Sequence, residues 1–214
     1  MSQYNDGGMK RKARIGLLGG TFNPIHLGHL LIAQDAMEQL GLDRVKFIPA
    51  AVPPHKPLDG NVSAAHRLRM VRLAIRGEPR FEAEDLEVRR GGTSYTVETV
   101  AEMRRRYPSA RFYFIMGADS LQELHRWYQI ERLARLCAFV VVTRPGCAMP
   151  IVRDLPLHFR VVHGHACEIA SRDIRERVAR GQSIRWLVPD AVFRYIQRQK
   201  LYQRKGNQSS KPVS

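Results

Sequence analysis

No apolar run in this sequence approaches the roughly 18–20 residues that a membrane span needs. The opening stretch, Met1 to Gly8, is polar and carries no secretory-type apolar segment. Cysteine is sparse: Cys137, Cys147 and Cys167 are an odd number with no CxxC spacing, which argues against a disulfide framework. Free thiols in a reducing, cytoplasmic setting are expected. Acidic residues are also short, 20 Asp and Glu against 35 Lys and Arg, giving a formal net charge of +15. No acidic cluster suggests a metal cage built from protein alone. The basic excess invites nucleic-acid or anionic-membrane binding. Arginine, however, is spread along the chain and no recognised nucleic-acid motif accompanies it.

What is present is an alternation of strands and helices. Residues 1–12 read as a basic disordered arm and 203–214 as a frayed polar end, leaving 13–202 as a single domain. Arg14–Gly19, Val45–Ala50, Arg111–Met116 and Cys137–Thr143 read as buried strands, and Phe159–His163 as a weaker one. Helices are expected near 26–40, stopped by Gly41, from an N-cap at Ser63 to about 76, over 96–107, and near 172–180 and 189–200. Such alternation predicts an α/β fold, Rossmann-like and doubly wound, with a mostly parallel sheet and a small C-terminal helical part. Ligands of such sheets sit at the carboxyl ends of the strands. The turns after Gly19, Ala50, Met116 and Thr143 should therefore face one cleft.

The first of these turns carries the strongest chemical signal. Gly19-Gly20-Thr21-Phe22-Asn23-Pro24-Ile25-His26-Leu27-Gly28-His29 runs from a buried strand into a helix. Paired glycines let backbone approach a ligand, and N–H groups at the helix start favour anions. His26 and His29, three apart, share a helix face. No Gly-Lys-Ser/Thr follows and the GxGxxG spacing is absent, which excludes a P-loop and the dinucleotide fingerprint. Imidazoles here take the phosphate-facing role that lysine has in a P-loop.

That string resembles the GxFxPxHxGH signature of the nucleotidyltransferase superfamily, with Asn23 where many members carry Asp. Ile169-Ala170-Ser171-Arg172-Asp173-Ile174-Arg175 is similar to the ISSTxIR element of the same families, with Ala170 and Arg172 in place of a serine and the threonine. Further stretches narrow the resemblance to nicotinate-nucleotide adenylyltransferases: Pro53-Pro54-His55-Lys56, Thr93-Ser94-Tyr95-Thr96, Gly117-Ala118-Asp119-Ser120 with Trp127-Tyr128, and the ending from Leu187 to Tyr202.

The resemblance implies transfer of AMP from ATP to nicotinate mononucleotide, giving deamido-NAD and pyrophosphate. His26 and His29 then bind ATP phosphates and stabilise the transition state. Gly19, Gly20, Thr21, Phe22, Gly117, Asp119, Arg144, Ser171 and Arg175 complete the ATP side. Lys56, Thr93, Tyr95, Thr96, Trp127 and Tyr128 take the acceptor, Trp127 stacking on its pyridine ring. Mg²⁺ arrives with ATP, because it favours substrate phosphates and retained waters. Simpler roles compete at several positions: Lys56 as a solvated loop residue, Asp119 as an N-cap, Trp127 as core, Arg144 within an Arg-Pro-Gly turn.

Rival readings are a sister enzyme using nicotinamide mononucleotide, pantetheine phosphate or a cytidylyltransferase substrate, or a non-catalytic basic nucleotide- or RNA-binding module. A homo-oligomer is left open. Strand alternation would put His163, His165 and Cys167 on one face, but no fourth ligand is evident and zinc spacings are unmatched.

Overall fold

The computed structural model describes residues 11–54, 62–121, 123–143, 157 and 159–204. In chain order the elements are β1 (Arg14–Gly20), α1 (Leu27–Leu40), β2 (Arg44–Pro49), α2 (Ala64–Ala74), β3 (Phe81–Ala83), α3 (Leu86–Arg90), α4 (Thr96–Arg106), β4 (Arg111–Gly117), α5 (Ile130–Leu136), β5 (Ala138–Thr143), β6 (Phe159–His163), α6 (Ser171–Ala179) and α7 (Asp190–Arg198). Two 3₁₀ turns, Ala118–Leu121 and Leu124–Arg126, lie between β4 and α5.

The strands form one sheet in the order β3-β2-β1-β4-β5-β6, every described pair parallel. The order reverses between β1 and β4, where Leu17 lies opposite Phe114. At such a switch point the connections leave in opposite directions and open a crevice at the strand ends. The doubly wound expectation holds, and every strand read from the sequence is present within a residue or two.

Side-chain alternation divides the interior in two. Along β4, Phe112, Phe114 and Met116 join the cluster under α4 and α5, with Val100, Met103 and Leu133. Tyr113 and Ile115 face the opposite cluster, where Ala33 and Met37 of α1, Met70 and Val71 of α2, Ile174 of α6 and Ile196 of α7 pack. The two C-terminal helices therefore share the core of the sheet. Gly16 is needed in β1 because a Cβ there would meet Ile115 Cδ1 at 2.8 Å and Leu42 Cδ1 at 2.9 Å.

Ser63 caps α2 as expected, its hydroxyl accepting from the His66 N–H at 3.3 Å. α1 ends at Gly41, whose left-handed φ of 57° lets its N–H return to the Glu38 carbonyl. At the edge of the predicted basic arm, Arg11 pairs with Asp43, which also accepts the Arg14 N–H at 2.7 Å. No described helix is long and apolar enough to cross a membrane.

Candidate active site

The turn leaving β1 is clamped from below by side chains drawn from distant parts of the chain. The Tyr202 hydroxyl donates to Asn23 Oδ1 at 2.7 Å, and Arg175 donates to the Asn23 carbonyl at 2.9 Å. The Ser171 hydroxyl donates to the Pro24 carbonyl at 2.8 Å, and Arg67 to the Thr21 carbonyl at 2.7 Å. Burial pushes the Tyr202 phenol up, so it stays protonated and remains a donor. A loop held by this many bonds is pre-organised, the condition for stabilising charge without reorganisation.

Above this floor sit the two histidines. His26 is the extended N-cap residue of α1, and His29 lies in its first turn. Their ring centroids are 3.7 Å apart, and Phe22 meets His29 edge-on at 5.0 Å. The His26 backbone N–H donates to His29 Nδ1 at 3.2 Å. A nitrogen that accepts carries no proton, so neutral His29 bears its hydrogen on Nε2. Burial first, and the neighbouring His26 second, hold the His29 imidazole well below its ordinary pKa. The pair therefore offers directed N–H donors at the positive end of a 14-residue helix.

Two cavities flank the turn. The larger, about 160 Å³, is lined by Gly19, Gly20, Thr21, Ala50, Pro53, Pro54, Glu87, Ser94, Tyr95, Thr96, Phe114, Trp127 and Tyr128. Trp127, half-buried, stands T-shaped to Phe114 with centroids 5.5 Å apart and an interplanar angle of 84°. Tyr95 and Tyr128 pack at 4.7 Å. Thr96 opens α4; the Glu98 and Thr99 N–H groups donate to the Tyr95 carbonyl, while those of Thr96 and Val97 come before the first carbonyl the helix offers and suit an anionic group.

The second cavity, about 60 Å³, is lined by His26, Gly28, Leu31, Ile32, Asp35, Gly117, Ala118, Val142, Thr143, Gly164, His165, Cys167 and Ile169. Buried Asp35 accepts from the His165 backbone N–H at 3.0 Å and contacts His165 Nδ1 at 2.8 Å. Gly28 keeps this space open. A Cβ there would lie 3.1 Å from His26 Nδ1 and 3.2 Å from Cys167 Sγ.

The expected residues thus separate by what they touch, and His29 lines neither cavity. Gly19, Gly20, Thr21, Tyr95, Thr96, Trp127 and Tyr128 line the larger cavity, and His26 and Gly117 the smaller. Phe22, Ser171 and Arg175 also hold the turn in place: Phe22 is 2% exposed in the core, while Ser171 and Arg175 bond loop carbonyls. Thr93 is exposed and bridges Val52 outside the cavity lining. Lys56 and Arg144 lie outside the described residues, as does the side chain of Asp119, whose backbone is in the first 3₁₀ turn.

One expectation fails. β6 ends at His163, so alternation does not carry His165 and Cys167 onto a common strand face. The chain turns because Gly164 bonds back to Thr143 and Asp35 captures His165. Residues that sequence reasoning passed over include Arg67, Asp35 and Glu87, while Ser94 entered only as part of its motif and His165 only as a metal candidate. Arg67 did leave a signal, since it sits on the apolar stripe of α2 with Met70 and Val71 at helical spacing.

A family model described as cytidylyltransferase-like matches residues 17–177. A probable nicotinate-nucleotide adenylyltransferase of Synechococcus sp. is 44% identical over 198 residues, covering 90% of this chain and 96% of that protein. Its counterpart from Lactiplantibacillus plantarum is 43% identical over 190 residues, covering 89% and 88%. Among solved structures, the Plasmodium falciparum nicotinic acid mononucleotide adenylyltransferase complexed with NaAD superposes with a TM-score of 0.72 at 20% identity. That match covers 89% of this chain and 97% of that one, and it shows a shared fold.

Proposed function

The chain belongs to the nicotinate-nucleotide adenylyltransferases of the cytidylyltransferase-like family, and on that premise we propose that it transfers AMP from ATP to nicotinate mononucleotide. One observation carries the reading. A pair of helix-start imidazoles, His26 of which lines the smaller cavity, follows directly on the glycine turn that lines the aromatic cavity at the switch point of the sheet.

In the proposed reaction a 5′-phosphate oxygen of the acceptor attacks the α-phosphorus of ATP. The new P–O bond forms as the bond to the β-phosphate bridging oxygen breaks, and pyrophosphate leaves. The nucleophile is already an anion near neutral pH, so alignment and charge stabilisation supply the catalysis. His29, donating through Nε2, and His26 beside it meet the phosphates as their charge redistributes.

Trp127 offers its face to the pyridine ring, and the start of α4 receives the ring carboxylate. The backbone N–H groups of Ser94 and Trp127 are bonded to the Val52 and Leu124 carbonyls, and on this reading those of Thr96 and Val97, at the start of α4, are the donors. A carboxylate only accepts hydrogen bonds, whereas a carboxamide brings its own N–H donors, so the acid form is favoured.

Among the described residues no group of three or more His, Cys, Asp or Glu side chains could hold a metal. On this reading Mg²⁺ comes with the triphosphate, whose charge it would screen. A reducing cytoplasm suits the two described free cysteines.

The test is pyrophosphate release from ATP with a panel of acceptors at one ATP concentration. Nicotinate mononucleotide should give the highest kcat/KM. Equal values for its amide, or preference for the amide or for pantetheine phosphate, would remove the nicotinate assignment and leave the adenylyl transfer standing.

A further inference from the structure

Arg67 lies on α2, outside every motif of the family resemblance, yet its side chain is fully buried. Its two terminal nitrogens diverge onto two different loops. Nη1 donates to the Thr21 carbonyl at 2.7 Å, in the turn after β1. Nη2 donates to the Ala51 carbonyl at 2.8 Å, in the segment after β2. Ala51 is held again from its other side, its N–H donating to Ser94 Oγ at 2.9 Å. Ser94 in turn bonds Glu87, and Thr99 donates to the same carboxylate at 2.6 Å. Ser94 N–H donates to the Val52 carbonyl at 2.9 Å, closing the strap. Thr21, Ala50, Glu87 and Ser94 all line the larger cavity. A single guanidinium therefore joins the phosphate-side turn to the acceptor-side loop and, through Ser94, to the start of α4.

From this geometry, and resting on the adenylyl-transfer reading above, we infer that Arg67 is a positioning residue that sets the spacing between the two substrate-binding halves. A stabilising role alone would not call for it. Burying a charged group is costly, and apolar replacement of buried ions is often neutral or favourable for stability. What a guanidinium supplies uniquely is a planar fork with fixed angles between its N–H groups. Two loops tied to that fork cannot shift relative to each other without breaking a charge-assisted bond. In a two-substrate transfer the distance between attacking oxygen and α-phosphorus depends on that relative placement, and small misplacements are expensive.

The experiment compares full-length wild type, Arg67→Ala and Arg67→Lys in the pyrophosphate-release assay, with thermal melts of each. Both variants should lose on the order of 10- to 100-fold in kcat. KM for ATP and for nicotinate mononucleotide should each stay within a few fold, since each half still binds its own substrate. Millimolar guanidinium or methylguanidinium should restore part of the kcat of Arg67→Ala, and methylammonium should not. A folded Arg67→Ala with kcat near wild type overturns the inference. So does a loss confined to Tm, or one that appears in KM rather than kcat. Where Arg67→Ala does not fold, Ser94→Ala cuts the same strap from its other end and should lower kcat about tenfold by the same misplacement argument. An unchanged kcat there is equally fatal. A wild type that uses another acceptor sinks the nicotinate reading alone, and the same ratios are then measured with that acceptor.

Discussion

The two cavities beside the β1 turn differ in how they are built. The larger, about 160 Å³, presents aromatic faces, and its buried polar groups already bond one another through Ser94, Glu87, Thr99 and Arg67. The smaller, about 60 Å³, is walled by His26, Asp35, Thr143, His165 and Cys167, with Gly28 as a deliberate gap. On the proposed reading, one side is a rigid slot that selects by shape and stacking. The other depends on a few polar atoms and on the absence of a side chain. His26 lines the smaller cavity and His29 packs against His26, following the turn whose glycines line the larger one; on the proposed reading that is where groups acting on the transition state should stand.

That division predicts separable kinetic consequences. The largest belongs to the histidines. His29→Ala and His26→Ala should lower kcat by about 10²–10³, the scale for losing one donor in a pre-organised oxyanion-type site, with little change in acceptor KM. Turnover within a few fold of wild type in either variant would remove that histidine from the mechanism. Trp127→Ala comes next. Loss of a stacking face is worth about 1–3 kcal/mol, so acceptor KM should rise about tenfold while ATP KM holds. Matching increases in both would mean that the slot and the pocket are one site.

Gly28→Ala should act on the opposite side and more weakly. The added methyl would press on His26 and Cys167 at 3.1–3.2 Å, tight enough that the partly exposed Cys167 must shift by a few tenths of an ångström. Alanine also favours a helix over glycine by roughly 1 kcal/mol. Stability should therefore hold or rise slightly while ATP KM increases several fold. A drop in Tm with ATP KM unchanged would reassign Gly28 to packing.

The half of the site that follows chain order was legible in the sequence. A buried strand, a glycine pair and two histidines at helical spacing sit within Gly19 to His29, and local pattern places them correctly. The aromatic wall was legible through Tyr95, Trp127 and Tyr128. The straps were not. Tyr202 reaches Asn23 and His165 reaches Asp35 across long chain separations that leave no periodic trace. For the same reason the bonds from Ser171 and Arg175 to the Pro24 and Asn23 carbonyls could not be read from the sequence. The three-residue strand β3 and the five-residue helix α3 are too short to show a period, and so Glu87 stayed hidden on α3.

The smallest effect sets the two sides against each other through acid. His29 titrates below its ordinary value because burial, and then His26, disfavour its charged form. Glu87 titrates above its ordinary value, burial outweighing its bonds from Thr99 and Ser94. The signs oppose. As pH falls below about 6.5 the unfolded histidine takes a proton that the folded one refuses, so the His29 contribution is present above that pH and is lost as pH falls toward its lowered folded value. For Glu87 the folded state takes a proton first, so stability is gained as pH falls through its raised value and is complete below the unfolded value of about 4.3. Each group can contribute at most about 1.4 kcal/mol per pH unit inside its window, or a shift of about 2–4 °C in Tm per kcal/mol for a chain this long. Between about pH 7.5 and 4.3, His29→Gln should therefore flatten the fall in Tm that sets in around pH 6.5, whereas Glu87→Gln should remove the gain that builds toward the acid end. Adding ATP should shrink the His29 effect, because phosphate charge beside the imidazole favours its protonated form. Melting curves of the three proteins across that range decide the matter, and parallel curves would show that neither group titrates differently in the folded state.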